Sequence, residues 1–121
     1  MILPDTNIWI DHLRNPDSKF TALLLDKLVR LHPFVLGEIA LGLQGSTRRF
    51  IELFSEVTQP TVLSPAEILT FIDARKVHGR GIGYVDAHLL ASTLLIPGGK
   101  LWTRDRRLNE QAKRLGVAYL A

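Results

Sequence analysis

The sequence predicts an α/β sandwich built on a largely parallel sheet, and three observations carry that prediction. Short apolar runs bounded by turn residues alternate with segments of helical periodicity, which is the element order of a parallel sheet. Capping residues stand immediately before the periodic segments and mark where helices start. No internal repeat, linker or low-complexity stretch divides the 121 residues. One domain over 1–121 is therefore expected, long enough to bury a core without staples.

Met1–Leu3 reads as a buried strand, followed by Asp5 and then by Thr6 and Asn7, capping types ahead of Ile8, Trp9, Ile10 and Leu13. Asp5 is thus expected where a strand's carboxyl end turns into a helix, the edge at which open α/β sheets bind ligands. Asn15-Pro16-Asp17-Ser18 is a turn cluster, with Asp17 or Ser18 able to cap a helix through Phe20, Leu23, Leu24 and Leu28. Leu28–His32 reads as a short strand stopped by Pro33. A helix over 34–43 follows, with Pro33 in its first turn and Glu38 in its middle; Leu41 and Gly42 are expected to share the inward face with Glu38. Gly37, Gly42 and Gly45 each weaken helix formation by about 1 kcal/mol relative to Ala, for which close approach to another element is the expected compensation. Ser46 is expected to cap a charged helix through Phe54.

Thr61–Leu63 holds at most a brief strand. Ser64-Pro65-Ala66-Glu67 is a capping-box pattern opening a helix that should turn Ile68, Phe71, Ile72 and Val77 inward. Gly79, Gly81 and Gly83 form a loop. Tyr84–Ile96 is the most apolar helix, with Asp86 in its first turn, and Pro97-Gly98-Gly99 ends it. Lys100–Thr103 reads as a strand, Arg104-Asp105 as a turn, Leu108–Leu115 as a helix stopped by Gly116, and Val117–Leu120 as a last strand.

Composition narrows the function. The absence of cysteine excludes disulfides and thiolate metal sites and fits a reducing cytoplasm. Pro4 and Asp5 interrupt the N-terminal apolar run before it becomes a signal sequence, and no apolar stretch approaches the length of a membrane span. A cytoplasmic protein without membrane contact is expected. A net charge of +3 and a pI near 9.6 favour an acidic partner such as nucleic acid.

Asp5, Glu38, Asp86 and Asp105 each lie in or beside strongly apolar sequence. Taken singly, Asp86 reads as an acid favoured by a helix dipole and Asp105 as a cap. Glu38 fits least well, because glutamate is rarely buried without a reason. Burying several carboxylates is costly and raises at least one pKa, and a divalent cation removes both problems. Oxygen ligands without Cys or a His set suit Mg²⁺ or Mn²⁺, and such a site suits metal-assisted phosphodiester hydrolysis.

Four segments bring the chain to a family. Ile2-Leu3-Pro4-Asp5-Thr6-Asn7, Leu36-Gly37-Glu38-Ile39-Ala40-Leu41-Gly42, the run from Gly83 through Asp86 to Ser92, and Leu101-Trp102-Thr103-Arg104-Asp105 stand in this order. Together they resemble the PIN-domain ribonucleases, specifically the VapC-type toxins, over essentially the whole length. The resemblance implies a three-layer sandwich with a central, mainly parallel sheet flanked by helices, and an acidic pocket for Mg²⁺ or Mn²⁺. It matches Asp5, Glu38 and Asp86 to the family's core acids, and Asp105 to its more variable fourth. Thr6 and Thr103 fall where the family often has hydroxyls near metal or substrate. It further implies a homodimer, inhibited by a small antitoxin that covers the pocket. Two departures stand out. Pro4 replaces an aliphatic strand residue, so the first strand must end or bulge there, and a hydroxyl residue common shortly before the family's glutamate is missing from the run His32 to Val35.

An RNA substrate needs phosphate contacts outside the acids. Arg104, Arg106 and Arg107 flank Asp105 and come first; Arg75, Lys76 and Arg80 come second; Arg48 and Arg49 read as a solvated face, a reading equally open to Arg106 and Arg107. His88 reads as core or interface and not as a ligand, Trp9 and Trp102 as core, and Tyr84 as either core or a stacking platform. The expected function is a metal-dependent endoribonuclease toxin. A water held by Asp5, Asp86 and Asp105 would attack the RNA phosphate, with Glu38 as a ligand or orienting that water. The alternative is a non-catalytic PIN-like nucleic-acid-binding or scaffold module, which should have lost one or more acids. A receiver-type phosphoacceptor domain is set aside because no Asp lies between Lys27 and Ile72.

Overall fold

Two apolar tripeptides set the frame of the computed structural model, which describes residues 1–43 and 47–120. β1 (Ile2–Pro4) and β2 (Lys100–Trp102) pair in parallel, with Ile2 opposite Lys100, Leu3 opposite Leu101 and Pro4 opposite Trp102. Leu3 and Leu101 are fully buried, as parallel strands covered on both faces must be. Single parallel bridges widen the sheet on each side, Ile2 to Val29 and Leu101 to Ala118. The strands expected at 28–32 and 117–120 are thus each reduced to one bridge. The strand expected at Thr61–Leu63 does not form. Pro60 has no N–H for a ladder, and the Thr61 carbonyl instead accepts the Ser92 hydroxyl at 2.7 Å, tying this segment to a helix. The Leu31 N–H donates to Thr58 at 3.0 Å, so the pairing lies upstream of the proline.

The helices are α1 (Thr6–Arg14), α2 (Ser18–Leu25), α3 (Pro33–Gly42), α4 (Thr47–Phe54), α5 (Pro65–Ala74), α6 (Tyr84–Leu95) and α7 (Arg106–Arg114). The expected cap at Ser46 and the glycine at 45 lie outside the described residues. Asp17 caps α2, its Oδ1 accepting the Lys19 and Phe20 N–H groups at 2.8 and 3.4 Å. Ser64 and Glu67 form the reciprocal capping box that starts α5. Helix α6 is buried from Ala87 through Thr93 and packs on both strands, while α7 packs on β2. Trp9 of α1 meets Phe20 and Phe54 edge-on at 4.9 and 5.4 Å, closing the core around α2 and α4. No helix among the described residues is long and apolar enough to cross a membrane.

Helix α3 departs from expectation. Only Val35 and Ile39, one turn apart, are buried on it; Leu41 is 89% exposed, and Glu38 and Gly42 are exposed too. A helix that is apolar all round conceals its inward stripe from periodicity. A Cβ at Gly37 or Gly42 would meet nothing within 4 Å, so these glycines serve no close approach. Val77 is buried as expected, but from beyond the end of α5.

Candidate active site at the carboxyl edge of the sheet

Asp5 follows β1 directly, and its N–H donates to the Trp102 carbonyl at 2.8 Å, the last rung between the two strands. With an extended backbone (φ −69°, ψ 163°) it is the N-cap of α1 in place of Thr6 or Asn7. Its Oδ1 accepts the Thr6 N–H at 2.7 Å, so Thr6 becomes the first helical residue and its hydroxyl is free to donate to Glu38 Oε1 at 2.6 Å. The other oxygen, Oδ2, accepts the Thr103 hydroxyl at 2.8 Å. Thr103, buried just past β2, in turn accepts the Asp105 N–H at 3.0 Å. Asp105 caps α7 through the Leu108 N–H at 2.9 Å. Asp86 sits in the first turn of α6 and folds back on the Gly83 N–H at 3.2 Å. Pro4 ends its strand, as its missing donor demands.

These side chains form one electrostatic group. Burial pushes the Asp5 carboxyl above its ordinary value. Hydrogen bonds from Thr103 and the Thr6 N–H pull it down, and the charges of Glu38 and Asp105 push it up again. Burial also raises Asp86, opposed by the Gly83 N–H and reinforced by Asp5, Asp105 and Glu38. The expected ligands therefore act on one another, although Glu38 and Asp105 lie at the exposed rim and not in the interior. Among the described residues no three His, Cys, Asp or Glu side chains are gathered tightly enough to hold an ion. Asp5, Asp86 and Asp105 each have an oxygen committed to a helix start.

The basic residues divide. Arg104 pairs with Asp11 of α1, a carboxylate that the sequence pattern does not single out. Among the described residues Arg106 pairs with Glu110 of its own helix, at 3.9 Å and largely in solvent, an arrangement worth little. Arg107 lies over the loop before α6, where a Cβ on Gly81 (φ +77°) would come within 2.8 Å of its Cδ. Arg80 donates to the Lys76 carbonyl, and Arg48 pairs with Glu52 in solvent, the latter as a solvated face should.

His32 is a further residue that sequence reasoning missed. It is fully buried and caps α3, Nδ1 accepting the Phe34 N–H at 3.0 Å. Burial, then the neighbouring His88, lowers its pKa to about 4. His88 is core, as expected, packed edge-on against Phe34 and Tyr84 at 4.7 and 4.8 Å. Pro33 at the first helical position was the available signal that residue 32 is a cap.

Comparison with known proteins places this geometry. The PIN domain family model matches residues 2–114. Ribonuclease VapC32 of Mycobacterium tuberculosis, in two strains, is 42% identical over 118 residues, covering 98% of this chain and 95% of the relative. Among solved structures, a chain from the crystal structure of FitAcB from Neisseria gonorrhoeae aligns with a TM-score of 0.61 and 25% identity, covering 100% of this chain and 97% of that one.

Proposed function

The chain belongs to the PIN-domain family, and from that premise we propose that it is a divalent-cation-dependent endoribonuclease, the toxin of a toxin–antitoxin pair, with 1–121 as its one nuclease domain. The observation that carries the proposal is the mutual action of Asp5, Glu38, Asp86 and Asp105 at the carboxyl edge of the sheet. Ribonuclease activity is what the 42% identical relative is named for. The donor chemistry suits a hard cation, since the acids offer only oxygens and two of them are carboxyls whose ionisation burial and repulsion oppose, and the side chains would have to draw together around it. Asp5, Asp86, Asp105 and Glu38 would hold Mg²⁺ or Mn²⁺. When bound, the ion supplies charge neutralisation at the phosphate and a more acidic water.

The chain's own residues do the rest. Thr103 holds one oxygen of Asp5 and the backbone of Asp105, so a single buried hydroxyl orients two acids. Thr6 holds one oxygen of Glu38 at the rim, where Glu38 would ligate the ion or orient an attacking water. Arg104, beside Asp105, would hold a phosphate once released from Asp11. The proposal includes a cytoplasmic location, a homodimer, and an antitoxin covering the acids.

The test incubates wild type and Asp5→Asn with total cellular RNA in Mg²⁺, in Mn²⁺ and in EDTA. Cleavage that needs the cation and is lost in Asp5→Asn is the expected result. Equal cleavage by both proteins overturns the site, and inertness of both with RNA still bound favours the non-catalytic binding module.

A further inference from the structure

We infer that single-stranded RNA flanking the cut lies in a groove running from Thr103 across the end of β2, between the α1–α2 turn and α7, gripped by Lys19, Lys113, Arg14 and Arg104. The inference rests on the nuclease proposal and assigns its substrate track. Two cavities, of about 420 and 530 Å³, share Asp17, Trp102 and Arg104 as walls and so form one groove. Each is large enough for a nucleotide-sized ligand. None of the four acids lines either cavity, but Thr103 lines the second and its hydroxyl bonds Asp5, which sets that end of the groove one side chain away from the acids.

Its charge is what a phosphate backbone requires. Arg14 lines the first cavity, Lys19 and Lys113 the second, and Arg104 both. The acids in the walls are already committed: Asp17 caps α2 and Asp11 pairs with Arg104. Among the described residues, Arg14, Lys19 and Lys113 have no carboxylate within ion-pair distance. The floor is aromatic, Trp102 and Tyr119 packing at 5.0 Å with the Lys19 ammonium 5.5 Å above the Tyr119 ring. A basic groove lined with aromatic rings is how proteins track single strands. Arg106, by contrast, lines neither cavity and faces Glu110 in solvent. The strand therefore departs from the acids on the Lys19–Lys113 side, and Asp11 competes with phosphate for Arg104.

Binding is measured by fluorescence anisotropy with a labelled mixed-sequence single-stranded RNA, using the full chain carrying Asp5→Asn so that the probe survives. Adding Lys19→Ala and Lys113→Ala together is expected to weaken binding about tenfold and to flatten the slope of log K against log salt by about 1.4, near 0.7 for each phosphate no longer neutralised. Arg48→Ala, on a remote solvated helix, is expected to change neither. Unchanged affinity and slope in the double variant overturn the inference, as does a loss confined to Arg106→Ala. Cleavage by the chain with native Asp5 separates the two ideas. If it cuts RNA while the double variant binds normally, the groove fails and the nuclease stands. If it does not cut but RNA is held by Lys19 and Lys113, the nuclease fails and the groove stands. Absence of any RNA binding ends both.

Discussion

Asp5 is both a helix cap and an acid in a crowd of acids, and substitution separates the two roles. Asparagine caps as well as aspartate, and its carboxamide offers an oxygen to the Thr6 N–H and an N–H₂ to Thr103. Asp5→Asn therefore keeps the start of α1 and removes the charge. Because burial and neighbouring acids raise the Asp5 carboxyl, the folded chain holds its proton more tightly than the unfolded chain does. Between the ordinary and the raised value, stability falls as pH rises, and the loss persists at neutral pH. In EDTA at pH 7, Asp5→Asn should melt a few degrees above wild type, while Asp5→Ala loses the cap, about 1 kcal/mol, and melts below Asp5→Asn. A melting point for Asp5→Asn below wild type would show that burial of the Asp5 charge among other acids does not cost the fold stability. His32 titrates with the opposite consequence. Its pKa is lowered to about 4, so from pH 6.5 down to that value the unfolded chain takes up a proton that the folded chain refuses, and stability falls as pH falls. His32→Asn retains a capping side chain without the titration, and its melting point should depend less on pH across that window.

Helix ends show where local sequence speaks and where it does not. Ser64 with Glu67 could be read directly because side chains there bond the first turn, and Pro33 marked the first turn of α3 although its His32 cap was missed. Gly116 (φ +77°) was equally legible as a stop. It has two counterparts, Lys27 (φ 57°) and Lys76 (φ 55°), which end α2 and α5 in the same left-handed conformation. In all three the following N–H reaches back five residues: Leu28 to Leu23 at 3.0 Å, Val77 to Ile72 at 3.1 Å and Val117 to Ala112 at 2.8 Å. Lysine gives no hint of this in sequence; at Lys76 the strain is offset by burying Val77 behind it. The left-handed conformation costs a residue with a Cβ about 1–2 kcal/mol, partly offset by the smaller entropy lysine loses on folding. Lys76→Gly should therefore raise the urea midpoint by the equivalent of up to about 1 kcal/mol, while Gly116→Ala lowers it by a similar amount. A drop for Lys76→Gly would mean that the side chain contributes more than its backbone strain costs.

At the scale of the molecule, the acids were legible because three of them stand at junctions that local patterns mark: Asp5 and Asp105 past strands, Asp86 at the start of an apolar helix. The exposure of Glu38 and Leu41 was not, since α3 is apolar on every face and only its packing selects the stripe of Val35 and Ile39. Nor was the bond from Thr103 to Asp5, which spans 98 positions and exists only once β1 and β2 are paired. That bond makes the site a property of the whole fold: unfolding separates Asp5 from Asp105, so a cation held by both binds the native chain alone. Ligand binding to the native state stabilises by RT ln(1 + [L]/Kd), about 2.7 kcal/mol at a hundredfold excess over Kd. Mg²⁺ or Mn²⁺ should therefore raise the melting point by several degrees, and by less as the pH falls towards the carboxylate range, because Asp5 and Asp86 must give up protons to bind. Asp86→Asn should lose most of that shift, and Thr103→Val should lose part of it by releasing Asp5 without changing the charge. A melting point indifferent to millimolar cation in the wild-type chain would remove the cation from the proposed mechanism. A shift that survives Asp86→Asn but not Asp105→Asn would move the ion to the outer rim of the group, beside Arg104.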